Sequence, residues 1–248
     1  MPMVSLNELR TRVCEANRAI ARAGLVTLSF GNASGVDREA GVMLIKPSGF
    51  PYEALEPADL CAISLADGSV VEGDHRPSSD TPTHLVLYRR FPSIGGVVHT
   101  HSPIASSWAQ ARRTIPCLGT THADHFHGPV PVTRPLTSDE IHGDYERLTG
   151  EVIAETIVGS GQEPLEMPAV IVASHGPFTW GASPEEAVES AIALELISSM
   201  AMQTMAIEPG SVPIPSDLLD RHFRRKHGPD AYYGQPAEIA EPRRDPAH

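Results

Sequence analysis

Two rhythms of apolar positions run through this chain. Leu6, Leu9, Val13, Ala16 and Ile20 recur at helical spacing, and residues 4–22 are predicted to form a helix that Gly24 ends. Short apolar runs bounded by turn residues then predict strands at 26–29, 33–36 and 42–45, with a turn from Asp37 to Gly41. Residues 60–65 and 69–71, separated by Ala66-Asp67-Gly68, read as a hairpin. A helix carrying Leu85, Val86, Tyr88 and Phe91 follows, and then the run Ile94 to Pro103. That run reads as a buried strand that ends in His99 and His101 and turns directly into a helix, with Ser102 at the cap and Pro103 at the first helical position. Further on, 129–135 look extended and 139–158 suit a helix, which Gly143 and Gly150 weaken without forbidding. Pro168 to Ala173 is another buried strand and 178–181 a short extended piece. Ser183, Pro184 and Glu186 open a long helix over 184–207, whose apolar residues nearly encircle it; that places it centrally or at a subunit contact. Met200, Met202 and Met205 on it are expected to pack. A last helix is expected at 216–226, and a Pro-, Glu- and Arg-rich tail at 236–248 is expected to be loose.

Strands and helices mix here without a steady βαβ rhythm. That favours a layered α/β sandwich with mixed or antiparallel pairing over a doubly wound sheet. With 248 residues, 41% of them apolar, one domain over 1–235 is the expectation. A net charge of −12, with no basic block beyond Arg224-Arg225-Lys226, argues against nucleic acid or an anionic membrane as partner. Cys14, Cys61 and Cys117 are too few and too scattered for a disulfide framework or a cysteine-type zinc module. No signal-peptide core and no apolar run of about 18 residues is present, so a cytoplasmic location is expected.

Candidate chemistry gathers at strand ends. Side chains two apart on a strand point the same way, so His99 and His101 can face one ion together. His175 also ends a predicted strand and Asp80 precedes a helix; three imidazoles and a carboxylate suit a divalent metal such as zinc. An H-x-H pair alone is more often not a metal site, and nothing local brings Asp80 or His175 to it. Asn32, Lys46, Ser48, Gly49, Ser78 and Ser79 lie on short polar loops, whose N–H groups and single lysine are what a phosphate monoester needs. Ser, Gly and Pro are equally what any turn contains. Asp124, His222 and Tyr233 are polar candidates for catalysis that would serve as well in a turn, on a surface or against a terminus. Trp108 and Trp180 line either a site or the core.

The segments Pro77-Ser-Ser-Asp80, Gly95-Gly-Val-Val-His-Thr-His101-Ser, Thr120-Thr-His-Ala-Asp124, Ser174-His-Gly-Pro-Phe178 and Lys226-His-Gly-Pro-Asp-Ala-Tyr-Tyr-Gly-Gln235 arrive in order. Their spacing resembles that of the L-ribulose-5-phosphate 4-epimerase branch of the class II aldolase and epimerase superfamily, from about Leu6 to Gln235. The resemblance implies an α/β/α sandwich around a mixed, mostly antiparallel central sheet. It implies a metal, usually Zn2+, with Mn2+ or another divalent ion as the alternative, held by Asp80, His99, His101 and His175. It implies that Gly31, Asn32, Ser48, Gly49, Ser78 and Ser79 meet the substrate phosphate with Lys46 close by. Asp124 and Tyr233 become the acid/base pair, assisted by His222. A homotetramer with sites at subunit interfaces is implied too, and a place in arabinose or other pentose catabolism. Aspartate at position 80 and the Tyr-Tyr-Gly end fit the epimerase better than the related aldolases.

The residue set suits that reaction. The hydrogen at C4 of a 2-ketose is not acidic, so deprotonation cannot invert the centre. Transient oxidation would call for a nicotinamide, whose GxGxxG fingerprint the sequence lacks. Cleaving C3–C4, turning the small aldehyde and re-forming the bond is the remaining route, with a metal ion stabilising the released electrons and acid/base groups on either side. The alternatives are a class II aldolase acting on a related sugar phosphate and a non-catalytic metal-binding protein.

Overall fold

The computed structural model describes residues 5–228 and 231–233; Gln235 and the expected loose tail at 236–248 lie outside the described residues. Its centre is a seven-stranded sheet in the order β4-β3-β2-β1-β5-β7-β6. The strands are β1 Asn32–Asp37, β2 Val42–Ile45, β3 Cys61–Ser64, β4 Val70–Glu72, β5 Gly96–His99, β6 Ala169–Ile171 and β7 Pro177–Gly181. Every pairing among them is antiparallel, and among the described residues the one parallel contact is an isolated bridge between Val132 and Ile171.

Apart from the exposed edge strand β4, both faces of the sheet are buried, and the strict alternation of the strands divides their side chains between two layers. Leu44, Ala62 and Val98 face α1 (Leu6–Arg22) and the first half of α7 (Pro184–Ile207). Met43, Ile45, Ile63 and Val97 face α2 (Thr81–Arg90) and α6 (Tyr145–Ser160). Burying each of the Val, Leu, Ile and Met side chains among them contributes about 1.5–3 kcal/mol. The α1 helix starts on Ser5, whose hydroxyl accepts the Glu8 N–H. Its buried Asn17 donates to the Ala33 carbonyl and accepts the Ala33 N–H, which fixes the start of β1. All three cysteines are buried and free.

Close approach explains the glycines around β5. A Cβ on Gly96 would lie 2.5 Å from Pro184 Cα, so the first turn of α7 rests on the strand backbone itself. A Cβ on Gly150 would lie 2.7 Å from Val86 Cβ, at the contact of α2 with α6.

Several expectations change. Residues 26–29 form no strand; Leu28 takes a left-handed φ of 57° and is exposed, which a ladder position does not permit. The helix expected at 139–158 is two helices, α5 (Ser138–His142) and α6, broken at Gly143 and Asp144. Residues 129–135 are extended but contribute only isolated bridges at Val130 and Val132. Ser102 precedes α3 (Pro103–Ala111) as expected, yet makes no capping bond. Glu195 of α7 does so instead, accepting the Ile104 and Ala105 N–H groups, each at 2.9 Å. Met200 and Met202 are exposed on α7 and only Met205 packs, while Trp108 and Trp180 belong to the core. α7 is long and apolar enough to cross a membrane, but it packs on β5, β7, α1 and α3 within the fold.

Candidate metal and phosphate site

The register of the sheet builds the site. Asn32 of β1 is paired with His99 of β5, which is paired with Phe178 of β7. His101 follows two residues after His99, and His175 stands in the turn before β7. That turn is tight: Ser174 has a φ of 63°, and its N–H donates to Ala109 of α3. Three imidazoles from two chain segments therefore meet at one end of the sheet, with their ligand atoms all within 4.8 Å of one another.

The Pro177 carbonyl can only accept, so His99 Nδ1 is the N–H donor to it at 2.9 Å, and in the neutral ring that leaves the lone pair on His99 Nε2. That lone pair faces His101 Nε2 at 3.1 Å. Two such nitrogens at this distance are held together by a shared proton or a cation. His175 Nδ1 is buried with no hydrogen-bond partner. Burial, then the neighbouring His99 and His101, push the His175 imidazole down to about 3; burial and His99 lower His101 as well. The shifts favour neutral rings at His101 and His175, the form that binds a metal. The donor set fits a divalent ion.

Asp80 lines the same cavity, of about 370 Å³, but stands outside the close histidine group. Its Oδ2 accepts from Asn32 Nδ2 at 2.6 Å. Burial opposes its charge, yet His99, His84, Asn32 and His175 outweigh that and hold the carboxyl below its usual value.

The expected phosphate loops line this cavity too. Ser78 N–H donates to the Lys46 carbonyl and Ser48 N–H to the Arg76 carbonyl, so the two loops lie side by side. Gly49, Ser79 and Gly31 complete the wall. Gly31 has a φ of 95°, and a Cβ there would stand 2.6 Å from the His99 carbonyl; only glycine serves. Lys46 is 1% exposed, and its Nζ lies 3.3 Å from the Pro47 carbonyl and 4.7 Å from the centre of the Tyr52 ring. Burial lowers its pKa to about 8.

Asp124, His222 and Tyr233 are brought together elsewhere. Asp124 caps α4 (Thr120–Ala123), and α8 (Ser216–Lys226) carries His222. His222 Nδ1 is 3.0 Å from Asp124 Oδ1, and none of the three lines the cavity that holds the histidines. Tyr145 and Glu146 do line it, and sequence reasoning missed them. The signal was Gly143: reading the helix as continuous hid that a new one starts at Tyr145, beside the site.

Residues 11–202 match the family described as Class II Aldolase and Adducin N-terminal domain. The chain belongs to the class II aldolase family. Among curated members, the L-ribulose-5-phosphate 4-epimerase UlaF of Salmonella paratyphi A is 51% identical over 230 residues, 93% of this chain and 100% of the relative. UlaF of Salmonella typhi gives the same figures. Among solved structures, an L-fuculose 1-phosphate aldolase superposes with a TM-score of 0.74 at 20% identity, covering 91% of this chain and 99% of that one. An l-fuculose-1-phosphate aldolase from Thermus thermophilus gives 0.65 at 22% identity, over 83% of this chain and 100% of that one. These likenesses show the class II aldolase fold, and the histidine group sits within it as a site able to hold a metal.

Proposed function

We propose that this class II aldolase-family chain is an L-ribulose-5-phosphate 4-epimerase, converting L-ribulose 5-phosphate to D-xylulose 5-phosphate by opening and re-forming C3–C4. The observation that carries the reading is that the histidine group and the buried Lys46 loop share one small cavity. The relatives, 51% identical and matched along their whole length, bear the same activity in their names. Asp80, His99, His101 and His175 would hold Zn2+, with Mn2+ as the alternative, and the ion when bound supplies Lewis-acid stabilisation for electrons released by bond cleavage. Lys46, with Gly31, Asn32, Ser48, Gly49, Ser78 and Ser79, binds the phosphate and keeps the larger fragment fixed while the two-carbon aldehyde turns. Asp124 and Tyr233 take the hydroxyl proton from one face and return a proton on the other, and His222 supports Asp124.

Because the Asp124 group lies off the histidine cavity in one chain, we assign the complete site to a subunit interface in a cytoplasmic homotetramer. Ile192 and Leu196, exposed on α7, offer apolar surface for such contacts. The deciding assay supplies L-ribulose 5-phosphate to the metal-loaded protein and follows both D-xylulose 5-phosphate and free glycolaldehyde. Epimer without accumulating aldehyde supports the proposal. Steady aldehyde release would instead make the chain an aldolase, and neither product would leave only metal binding.

A further inference from the structure

Arg225 stands at the centre of the Asp124 group. On the last turn of α8, its Nε and Nη2 donate to the two oxygens of Asp124 at 3.0 and 2.8 Å, a two-point fork. Its guanidinium carbon lies 4.1 Å from the centre of the Tyr233 ring. The Arg225 carbonyl accepts the N–H groups of Tyr232 and Tyr233 at 2.9 and 3.1 Å. His222, three residues earlier on the same helical face, meets Asp124 Oδ1.

We infer that Arg225 is the positioning residue that sets the Asp124 carboxylate and the Tyr233 phenol relative to one another. The inference rests on the acid and base roles given to those two residues above. Their own elements do little to orient them. Asp124 ends a helix of four residues, and Tyr233 lies beyond α8 with its side chain half exposed. They are more than a hundred positions apart in the chain, and one side chain with its own carbonyl touches both. Arginine suits the task because its planar fork dictates the plane of the carboxylate while its flat face takes a ring; a lysine ammonium does neither. Proton transfer in turn depends on placement, a shift of about 1 Å being able to cost about 100-fold in rate.

The remaining groups facing Asp124 are His222 on its carboxylate and His227, whose Nε2 is 2.7 Å from the Asp124 main-chain oxygen. Loss of Arg225 thus removes the arginine cation paired with the carboxylate, which raises its pKa.

The test compares Arg225→Lys and Arg225→Met in the full-length, metal-loaded enzyme with L-ribulose 5-phosphate. The expected result is a kcat lower by about 10- to 100-fold in both variants, with metal content and KM unchanged. The acid limb of the kcat profile should move to higher pH in Arg225→Met. On a Tyr233→Phe background, Arg225→Met should cost less than it does alone, because both changes disturb one unit. A kcat within about twofold of wild type in both variants, a loss tracked by falling metal content, or fully additive losses would overturn the inference. If the wild-type protein turns over no L-ribulose 5-phosphate, the functional reading fails separately. A crystal structure of Arg225→Met then decides: Tyr233 displaced from beside Asp124 upholds the positioning role, and an unmoved ring overturns it.

Discussion

His99 shows how much one ring orientation decides. Its Nδ1–H is committed to the Pro177 carbonyl, so only Nε2 can face His101. Replacing His99 with alanine should drop bound metal to a small fraction of one equivalent and abolish turnover, checked by elemental analysis and the epimer assay. Removing the ion with a chelator should silence the wild type reversibly, with activity returning on re-addition of Zn2+. Lys46 gives a pH signature of its own. With its pKa lowered to about 8 by burial, it is charged below that pH and neutral above. A fall in kcat/KM as pH rises through about 8 is therefore expected, and Lys46→Met should erase that limb and raise KM. Stability moves the opposite way. Between about 8 and the ordinary 10.5 the unfolded chain binds the extra proton, so the contribution of Lys46 to stability rises across that window and its cost is complete below it. At this scale the sequence made the His99 and His101 pair legible, because a spacing of two is local. His175 at a strand end and Asp80 before a helix were candidates, but nothing local brought them to that pair; their placement follows from the β5–β7 register and the loops beside β1. Only the family resemblance joined them to it.

Elements were most legible where caps and periodicity agreed. α7 runs from Pro184 to Ile207 as its Ser-Pro-x-Glu start predicts, and Glu186 reaches back to the Ala182 N–H. Legibility failed where a long-range partner replaced a local one. Ser102 looked like the cap of α3, but Glu195 occupies those N–H groups from another helix. Glu195→Ala should lower stability by about 1–2 kcal/mol and the melting temperature by a few degrees, whereas Ser102→Ala should be milder. Gly143 divided a helix whose apolar spacing reads straight through it. The glycine pair before Val97 had a reason no pattern could reveal, since the first turn of α7 crosses there. Gly96→Val should cost about 1–3 kcal/mol or more through overpacking, seen as a lower urea midpoint.

At the scale of the molecule, the layered sheet and its antiparallel pairing follow from runs of strands without a βαβ rhythm. The proposed division of the site between subunits rested on the family resemblance alone, because no residue pattern says which chain supplies a side chain. Two halves of a site on one chain give a direct test of assembly. His99→Ala and Tyr233→Phe should each be nearly inactive alone. Co-refolded in equal amounts, they should recover about a quarter of wild-type activity if each site draws on two subunits of a ring. No recovery, with mixed oligomers shown by mass spectrometry, would place both halves in one chain.

The helix resting bare on β5 has a consequence for motion. With no side chain at Gly96 to cushion the contact, the α7 N-terminus and His99 are joined by a strand only about 10 Å long. Loading the histidines with zinc should therefore slow amide deuterium uptake in the opening turns of α7, at the far end of the sheet from the ion, and Gly96→Val should break that long-distance protection before it empties the site.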